Sequence, residues 1–148
     1  MNEVPLQAGW LPWALMSAVF AALTAIFAKV GLEGVDSDFA TLIRTFVIVA
    51  VLGAFVYATG KWQGLSVIAG KSGLFLVLSA LATGASWVCY YRALKIGNAV
   101  NVAPVDKLSV VLVALFAVVF LGERPATRDW LGITLVAVGV VLLALKGR

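Results

Sequence analysis

The chain has 148 residues, of which 63% are hydrophobic and only 12% are charged, and its net charge is +4. A soluble domain is about half apolar and about a quarter charged, so this chain has too few polar side chains to cover a water-facing globule. The composition predicts an integral membrane protein, and the 11 Lys and Arg residues, scattered singly between apolar runs, are typical of helix flanks rather than of a nucleic-acid-binding surface.

Five apolar segments, each near the roughly 20 residues that cross a hydrocarbon core, predict an all-α fold with five transmembrane helices. In chain order they cover residues 10–30, 39–58, 74–94, 104–121 and 130–145. The segment before the first helix carries Glu3 and lacks Lys and Arg, which argues against a cleaved signal peptide. Since the loops are short, the sequence predicts one transmembrane domain over residues 1–148.

Local signals predict where several helices begin. We expect Ser37 or Asp38 to cap the second helix, Pro104 to lie in the first turn of the fourth, and Thr127 to cap the fifth. Small residues recur at four-residue spacing within the first three helices, which predicts close packing of the helices into one bundle.

An odd number of helices places the two termini on opposite sides of the membrane. The positive-inside rule compares the basic residues of the two faces and favours a cytoplasmic C-terminus when the membrane-embedded Arg44 and Lys107 are counted. Without that pair the tally is four against five, which permits insertion in both orientations. The residues compared are Lys61, Lys71, Arg124 and Arg128 on one face, and Lys29, Arg92, Lys95, Lys146 and Arg148 on the other.

Ionisable side chains within the spans are candidates for a transport pathway, because burying them in hydrocarbon is costly. Arg44, flanked by Thr41 and Thr45, lies six residues past Asp38, about 9 Å along the helix. It is either an anion-attracting or gating group inside the bundle, or a side chain that snorkels back to the headgroups.

The end of the third helix carries two kinds of aromatic residue. Tyr90 and Tyr91, with Arg92 and Lys95, resemble an interfacial belt. Trp87 lies about 12 Å deeper than Lys95 along the helix, too deep for a belt. With Thr83 and Ser86 it is predicted to form a pocket wall, the alternative being core packing.

Asp106 and Lys107 fall in the first turn of the predicted fourth helix, where an acid suits the helix dipole. They are either an interfacial capping pair, or a proton or cation site with Lys107 as counter-charge, paired with Arg44 or Arg92. The substrate-pathway candidates are therefore Arg44, Thr41, Thr83, Trp87, Tyr91, Asp106 and Lys107.

An ordered set of short motifs gives the chain a family resemblance. They are Tyr91-Arg92-Ala93-Leu94, Ala103-Pro104, Leu121-Gly122-Glu123-Arg124, and Gly132 with Gly139. At these spacings the chain resembles the second half of the EamA domain of the drug/metabolite transporter superfamily. The first half is similar too, through Ala28-Lys29 and the arginine in the second helix.

The resemblance implies a ten-helix unit made of two inverted five-helix repeats, with the substrate path at their interface. This chain supplies one repeat. It therefore implies a half-size transporter of small metabolites in the cell (inner) membrane, acting by alternating access as an antiparallel homodimer or a paralogue heterodimer. The excess of embedded cations over acids favours an anionic or zwitterionic metabolite. The related small multidrug resistance proteins carry a glutamate in the first helix; the centre of this one has no acid, which argues against proton-coupled export of drug cations.

Two other classes of function compete with the carrier. A non-transporting membrane subunit would stabilise or regulate a partner membrane protein through the small-residue helix faces. An enzyme is not expected, because the chain lacks histidine, a phosphate-binding glycine loop and a nucleophile beside a base. We predict no catalytic residue, no metal, no cofactor and no nucleic-acid partner.

Overall fold

A computed structural model describes residues 9–68 and 70–145; Glu3, Lys146 and Arg148, which enter the signal-peptide and topology arguments, lie outside these described residues. All regular structure in the described residues is helical, which confirms the all-α prediction. Five helices are long and apolar enough to cross a membrane, as predicted: Leu11–Gly31, Ser37–Ala58, Lys71–Ile96, Ala99–Leu121 and Thr127–Leu145.

The fourth span differs from the others because it is not one regular helix. We label the regular helices α1 (Leu11–Gly31), α2 (Ser37–Ala58), α3 (Lys71–Ile96), α4 (Ala99–Asp106), α5 (Ser109–Phe116) and α6 (Thr127–Leu145), with α4 and α5 both in the fourth span. A π-helical segment, Ala117–Leu121, completes that span, and a short 3₁₀ helix, Leu65–Ile68, lies between α2 and α3.

The apolar surface of the chain faces outward. Large hydrophobic side chains such as Phe46, Leu131 and Leu135 are more than 60% exposed, while Leu94 is fully buried. The buried apolar set is small: Ala25, Ala28, Leu32, Tyr91, Leu94, Ala117 and Val140. An outward-facing apolar surface on helices whose backbone bonds are satisfied internally is what a bilayer solvates.

The second helix begins one or two residues earlier than predicted. Asp36, not Ser37 or Asp38, is its N-cap: the Asp36 Oδ1 accepts hydrogen bonds from the backbone N–H of Asp38 (2.9 Å) and of Phe39 (3.0 Å). The prediction was wrong because three consecutive residues can all cap a helix, and the first of them does so. The Asp38 carboxylate is thereby left available for another partner.

The last helix also begins without its predicted cap. Thr127 is the first helical residue, and the preceding Ala126 holds the cap position, because its carbonyl accepts the bond from Trp130 N (3.2 Å). The Asp129 Oδ2 accepts a 2.8 Å bond from the Ala126 N–H, which is one half of a capping box. The cap prediction for Thr127 was wrong by one residue, since Asp129 supplies the side-chain bond instead.

The fourth span starts five residues before the predicted Pro104, at Ala99. The Asn98 carbonyl accepts bonds from the N–H groups of Asn101 and Val102, both 3.0 Å, which opens α4 and leaves Pro104 inside the helix. A proline six residues into a helix removes the bond to the carbonyl four residues before it.

Asp106 and Lys107 therefore do not lie in a first helical turn, contrary to the prediction. Asp106 is the last residue of α4 and Lys107 is its C-cap. The Lys107 N–H bonds the Pro104 carbonyl (2.9 Å) and the Leu108 N–H bonds the Val105 carbonyl (3.0 Å), both with the three-residue spacing of a 3₁₀ turn. The pair thus sits at an interruption inside an apolar span.

The helices divide into two compact units. Residues 30–96 form one unit, in which α2 packs against α3. Residues 9–29 and 97–145 form the other, in which α4 and α5 pack against α6.

Candidate functional site

A cleft with a volume of about 650 Å³ lies between α2 and α3. This volume falls within the range of about 300–1,000 Å³ that holds small-molecule ligands. Its walls are mainly aliphatic, with Ile48, Val49, Leu76 and Ala80 among them. The polar and aromatic residues that line it are Asp38, Thr41, Thr45, Ser79, Thr83 and Trp87.

Helical periodicity brings these polar residues to one cleft. Asp38, Thr41 and Thr45 are spaced by three and four residues along α2 and so share a face. On α3, Ser79, Thr83 and Trp87 are spaced by four. The two polar stripes line the cleft from opposite helices.

The threonine hydroxyls of the cleft donate hydrogen bonds to backbone carbonyls. Thr41 Oγ1 donates to the Ser37 carbonyl, Thr45 Oγ1 to the Thr41 carbonyl and Thr83 Oγ1 to the Ser79 carbonyl, each at 2.8 Å. A hydroxyl has one proton and two acceptor lone pairs, so each keeps acceptor capacity only. The threonines therefore act as hydrogen-bond acceptors.

Arg44 lies against the aromatic residues of α3. Its guanidinium carbon is 4.2 Å from the centroid of the Trp87 ring and 5.3 Å from that of Tyr91, which is cation–π geometry. The Arg44 and Trp87 side chains are half-buried and Tyr91 is 5% exposed. The guanidinium therefore lies against two aromatic rings of α3, and its role inside the bundle stays a prediction.

The Arg44 guanidinium makes ring contacts but no polar bond within the described part of the chain. None of residues 9–68 and 70–145 gives it a hydrogen bond or an ion-pair partner. A guanidinium carries five N–H donors. The stack therefore holds a cation whose donors remain available to a ligand.

A second arginine is neutralised. Arg92 Nε donates to Asp38 Oδ1 at 2.8 Å, and Arg92 Nη2 donates to Asp38 Oδ2 at 2.5 Å. This two-bond geometry is the planar match between guanidinium and carboxylate. It ties the start of α2 to the end of α3 and neutralises the one carboxylate that lines the cleft.

The loop before α2 is held to α3 by a third basic side chain. Lys95 Nζ donates to the carbonyl of Leu32 at 2.7 Å and to that of Val35. The interfacial-belt interpretation of this helix end was wrong for Tyr91, because Tyr91 is buried. It also missed that Lys95 is bonded to protein carbonyls.

The seven predicted pathway residues fall into two groups. Thr41, Thr83 and Trp87 line the cleft, and Arg44 and Tyr91 adjoin it through the aromatic stack. Asp106 and Lys107 belong to the other unit, where they form an ion pair of 3.0 Å with each other. The ion pair supplies the counter-charge predicted for Asp106, and a pairing of Asp106 with Arg44 or Arg92 stays a prediction.

Two cleft residues escaped the sequence prediction. The sequence pattern predicts a helix cap for Asp38, and Ser79 belongs to the small residues at four-residue spacing in the third helix. The signal that finds both is their spacing to the named candidates, with Asp38 three residues before Thr41 and Ser79 four before Thr83. In the described ranges, 9–68 and 70–145, no cluster of three or more His, Cys, Asp or Glu side chains suits a metal ion.

Comparisons with known proteins identify a family and a relative. Residues 8–145 match the EamA-like transporter family. The chain is 61% identical over 135 residues to a Sinorhizobium sp. protein described as an uncharacterized transporter in the cobO 3′ region, and the match covers 91% of this chain and 96% of that protein. No solved structure matches the chain.

Proposed function

The chain belongs to the EamA-like transporter family, and on that premise we propose that it is half of a small-metabolite carrier that works as an antiparallel dimer by alternating access. Its family, its transporter-described relative and its five apolar helices make it a multi-pass membrane transporter. The dimer, the mechanism and residence in the cell (inner) membrane are the proposed part.

The observation that carries the carrier proposal is the α2–α3 cleft. It combines aliphatic walls with a few polar groups and adjoins a half-buried arginine that lacks a polar partner among the described residues. Ionisable groups within spans are costly to insert and mark solute pathways. A purely structural helix pair does not need such a group.

The number of helices supports the dimer. Secondary transporters of the inverted-repeat type place their solute site between two repeats of opposite topology. The five spans correspond to a single repeat, and we propose that another chain supplies the second one. The Sinorhizobium sp. relative is of similar length, since the match covers 96% of it. We therefore propose that residues 1–148 form one repeat and that a second copy, inserted upside down, supplies the other.

Reconstitution tests this proposal. Purified protein in liposomes is assayed for counterflow of four solutes of different chemistry: mandelate, benzylamine, glucose and phosphate. Topology is read in parallel from reporters at both termini. We expect counterflow of at least one solute, a dimeric mass, and both orientations in the membrane.

The opposite result is equally specific. Protein that moves and binds none of the four solutes, but co-purifies with one stoichiometric membrane partner, contradicts the carrier and supports the regulatory-subunit alternative. A single uniform orientation with no paralogue present contradicts the antiparallel homodimer.

A further inference from the structure

We infer that the α2–α3 cleft binds a monocarboxylate that brings its own hydrogen-bond donors, with the carboxylate at the Arg44 guanidinium and the donors facing the threonine oxygens. This inference rests on the proposed function, because it names the solute class of the same cleft. It follows from charge, donor geometry and lining, taken in turn.

The charge beside the cleft is that of Arg44, which does not line the cleft but contacts Trp87, one of the lining residues. Asp38 lines the cleft, but its two oxygens are both bonded by Arg92, so this pair contributes no net charge. Arg44 is left with ring contacts only, as far as the described residues go. One unpaired positive charge in an apolar surrounding is balanced by a ligand with one negative charge.

The ring contacts of Arg44 leave its N–H donors for the ligand. The guanidinium carbon of Arg44 lies 4.2 Å from the Trp87 ring centroid and 5.3 Å from the Tyr91 ring centroid. The N–H donors of a guanidinium lie in its plane and match the two oxygens of a carboxylate. These ring contacts use none of the N–H donors in a hydrogen bond to the described residues, so the guanidinium keeps its donors for a carboxylate.

The threonine oxygens require a hydrogen-bond donor on the ligand. The hydroxyls of Thr41, Thr45 and Thr83 donate to backbone carbonyls and offer lone pairs only. A ligand group without a proton to give leaves these oxygens desolvated and unpaired, which is unfavourable. A hydroxyl or an amine beside the carboxylate satisfies them.

The remaining walls accommodate a hydrocarbon body. Ile48, Val49 and Leu76 offer aliphatic surface in a volume of about 650 Å³. That volume exceeds what a two- or three-carbon acid fills. We therefore expect an alkyl or aryl group attached to the polar end.

Three matched probes test each element of this inference: mandelate has a carboxylate, a hydroxyl donor and a phenyl ring; phenylacetate lacks the hydroxyl; benzylamine carries the opposite charge. Binding to the purified full-length protein in lipid nanodiscs is measured by isothermal titration calorimetry. We expect mandelate to bind most tightly, phenylacetate about three- to tenfold more weakly for the loss of one neutral hydrogen bond, and benzylamine not at all.

Two substitutions assign the contacts. Arg44→Ala is expected to weaken mandelate binding about tenfold to a hundredfold, the effect of losing a charge-assisted hydrogen bond. Arg44→Lys keeps the charge without the planar fork and should fall between. Lys61→Ala, in the exposed loop after α2, is the matched control and should change nothing. Thr83→Val removes an acceptor oxygen at nearly constant shape and should abolish the preference for mandelate over phenylacetate.

The outcomes separate this inference from the proposed function. Tighter binding of benzylamine than of mandelate overturns the inference, as does mandelate binding that Arg44→Ala and Thr83→Val leave unchanged. Counterflow of benzylamine or glucose without mandelate overturns the inference while the carrier stands. Arg44-dependent mandelate binding by a protein that moves no solute supports the inference and contradicts the carrier.

Discussion

The α2–α3 pair and the fourth span handle the demands of a membrane interior in opposite ways. In α2 and α3 the backbone is regular and the polar groups are side chains: the Arg92–Asp38 ion pair, Arg44 against its aromatic rings, and three threonines. In the fourth span the polar side chains are few, with the Asp106–Lys107 ion pair among them, and the irregularity is in the backbone, with Pro104, a 3₁₀ turn and a π-helical segment.

The difference separates solute recognition from backbone adaptability. Recognition needs fixed donors and acceptors, which regular helices position well. Bending an interrupted helix breaks fewer backbone hydrogen bonds than bending a regular one. The span can therefore bend at the interruption, as the discontinuous helices of secondary transporters do. We therefore expect substitutions in α2 and α3 to change solute binding, and substitutions in the fourth span to change stability and the rate of conformational exchange.

The largest effect is expected from Trp87→Ala. It removes a cleft wall and the ring under Arg44, and for a half-buried tryptophan the free energy of unfolding should fall by about 2 kcal/mol. Mandelate binding should be lost with it. Thermal denaturation in detergent and calorimetry measure the two quantities. Trp13→Ala, at a position 72% exposed on α1, is the control and should change neither; equal losses in both variants would remove the special role of the cleft.

The second-largest effect is expected from Gly122→Ala, at the end of the fourth span. Gly122 has a φ of 68° and ends the π-helical segment, where its N–H and that of Glu123 both bond the Ala117 carbonyl. An alanine there is forced into the left-handed region, so Gly122→Ala should destabilise the protein by about 1–2 kcal/mol. Gly139→Ala, inside the regular α6 with open space around the added methyl, should instead be neutral or stabilising. Thermal unfolding that ranks the two variants the other way would contradict this assignment.

A smaller change is expected from Pro104→Ala. The new N–H regains a bond to the carbonyl four residues earlier and should stabilise the protein by about 1 kcal/mol. If the interruption lets the span bend, counterflow should become slower while mandelate affinity stays constant. Pro125→Ala, in the loop before α6, is the control. A variant with unchanged stability and rate would show that the interruption does not depend on the proline.

The smallest effect is expected from exchanging the exposed ion pair. Arg92→Ala leaves the Asp38 carboxylate unpaired in the cleft and should weaken mandelate binding by charge repulsion. The double exchange Asp38→Arg with Arg92→Asp should restore part of the affinity. Calorimetry on the three proteins decides this, and equal affinities throughout would show that the pair has no influence on the bound solute.

The sequence predicted the number of spans because lipid exposure leaves long apolar runs that short loops separate. With one exception, the observed helix ends agree with the predicted ones within three residues. The exception is the start at Ala99. Proline is favoured at helix starts, so the sequence placed the start at Pro104, whereas the Asn98 carbonyl accepts the first helical hydrogen bonds. Local sequence rules identify residues that can start a helix, but they do not show which of two neighbouring candidates does so.

The site was partly predictable for a related reason. Arg44, Thr41, Thr83 and Trp87 follow from helical spacing and from the cost of polar groups in a span. The Arg92–Asp38 pair joins residues 54 positions apart, and the capping role of Asp36, which leaves Asp38 available, is a local competition among three adjacent residues. Neither is visible until the register of α2 against α3 is known.

The most direct test of the central claim, that solute passes through the α2–α3 cleft, is chemical blockade. In a Cys89→Ser background, which removes the exposed native thiol, Thr83→Cys is treated with a methanethiosulfonate reagent and mandelate counterflow is measured in proteoliposomes. Leu131→Cys, exposed on α6, serves as the control. The account predicts that modification at residue 83 abolishes counterflow, that mandelate protects against it, and that the control is unaffected. Full labelling at residue 83 with undiminished counterflow would contradict it.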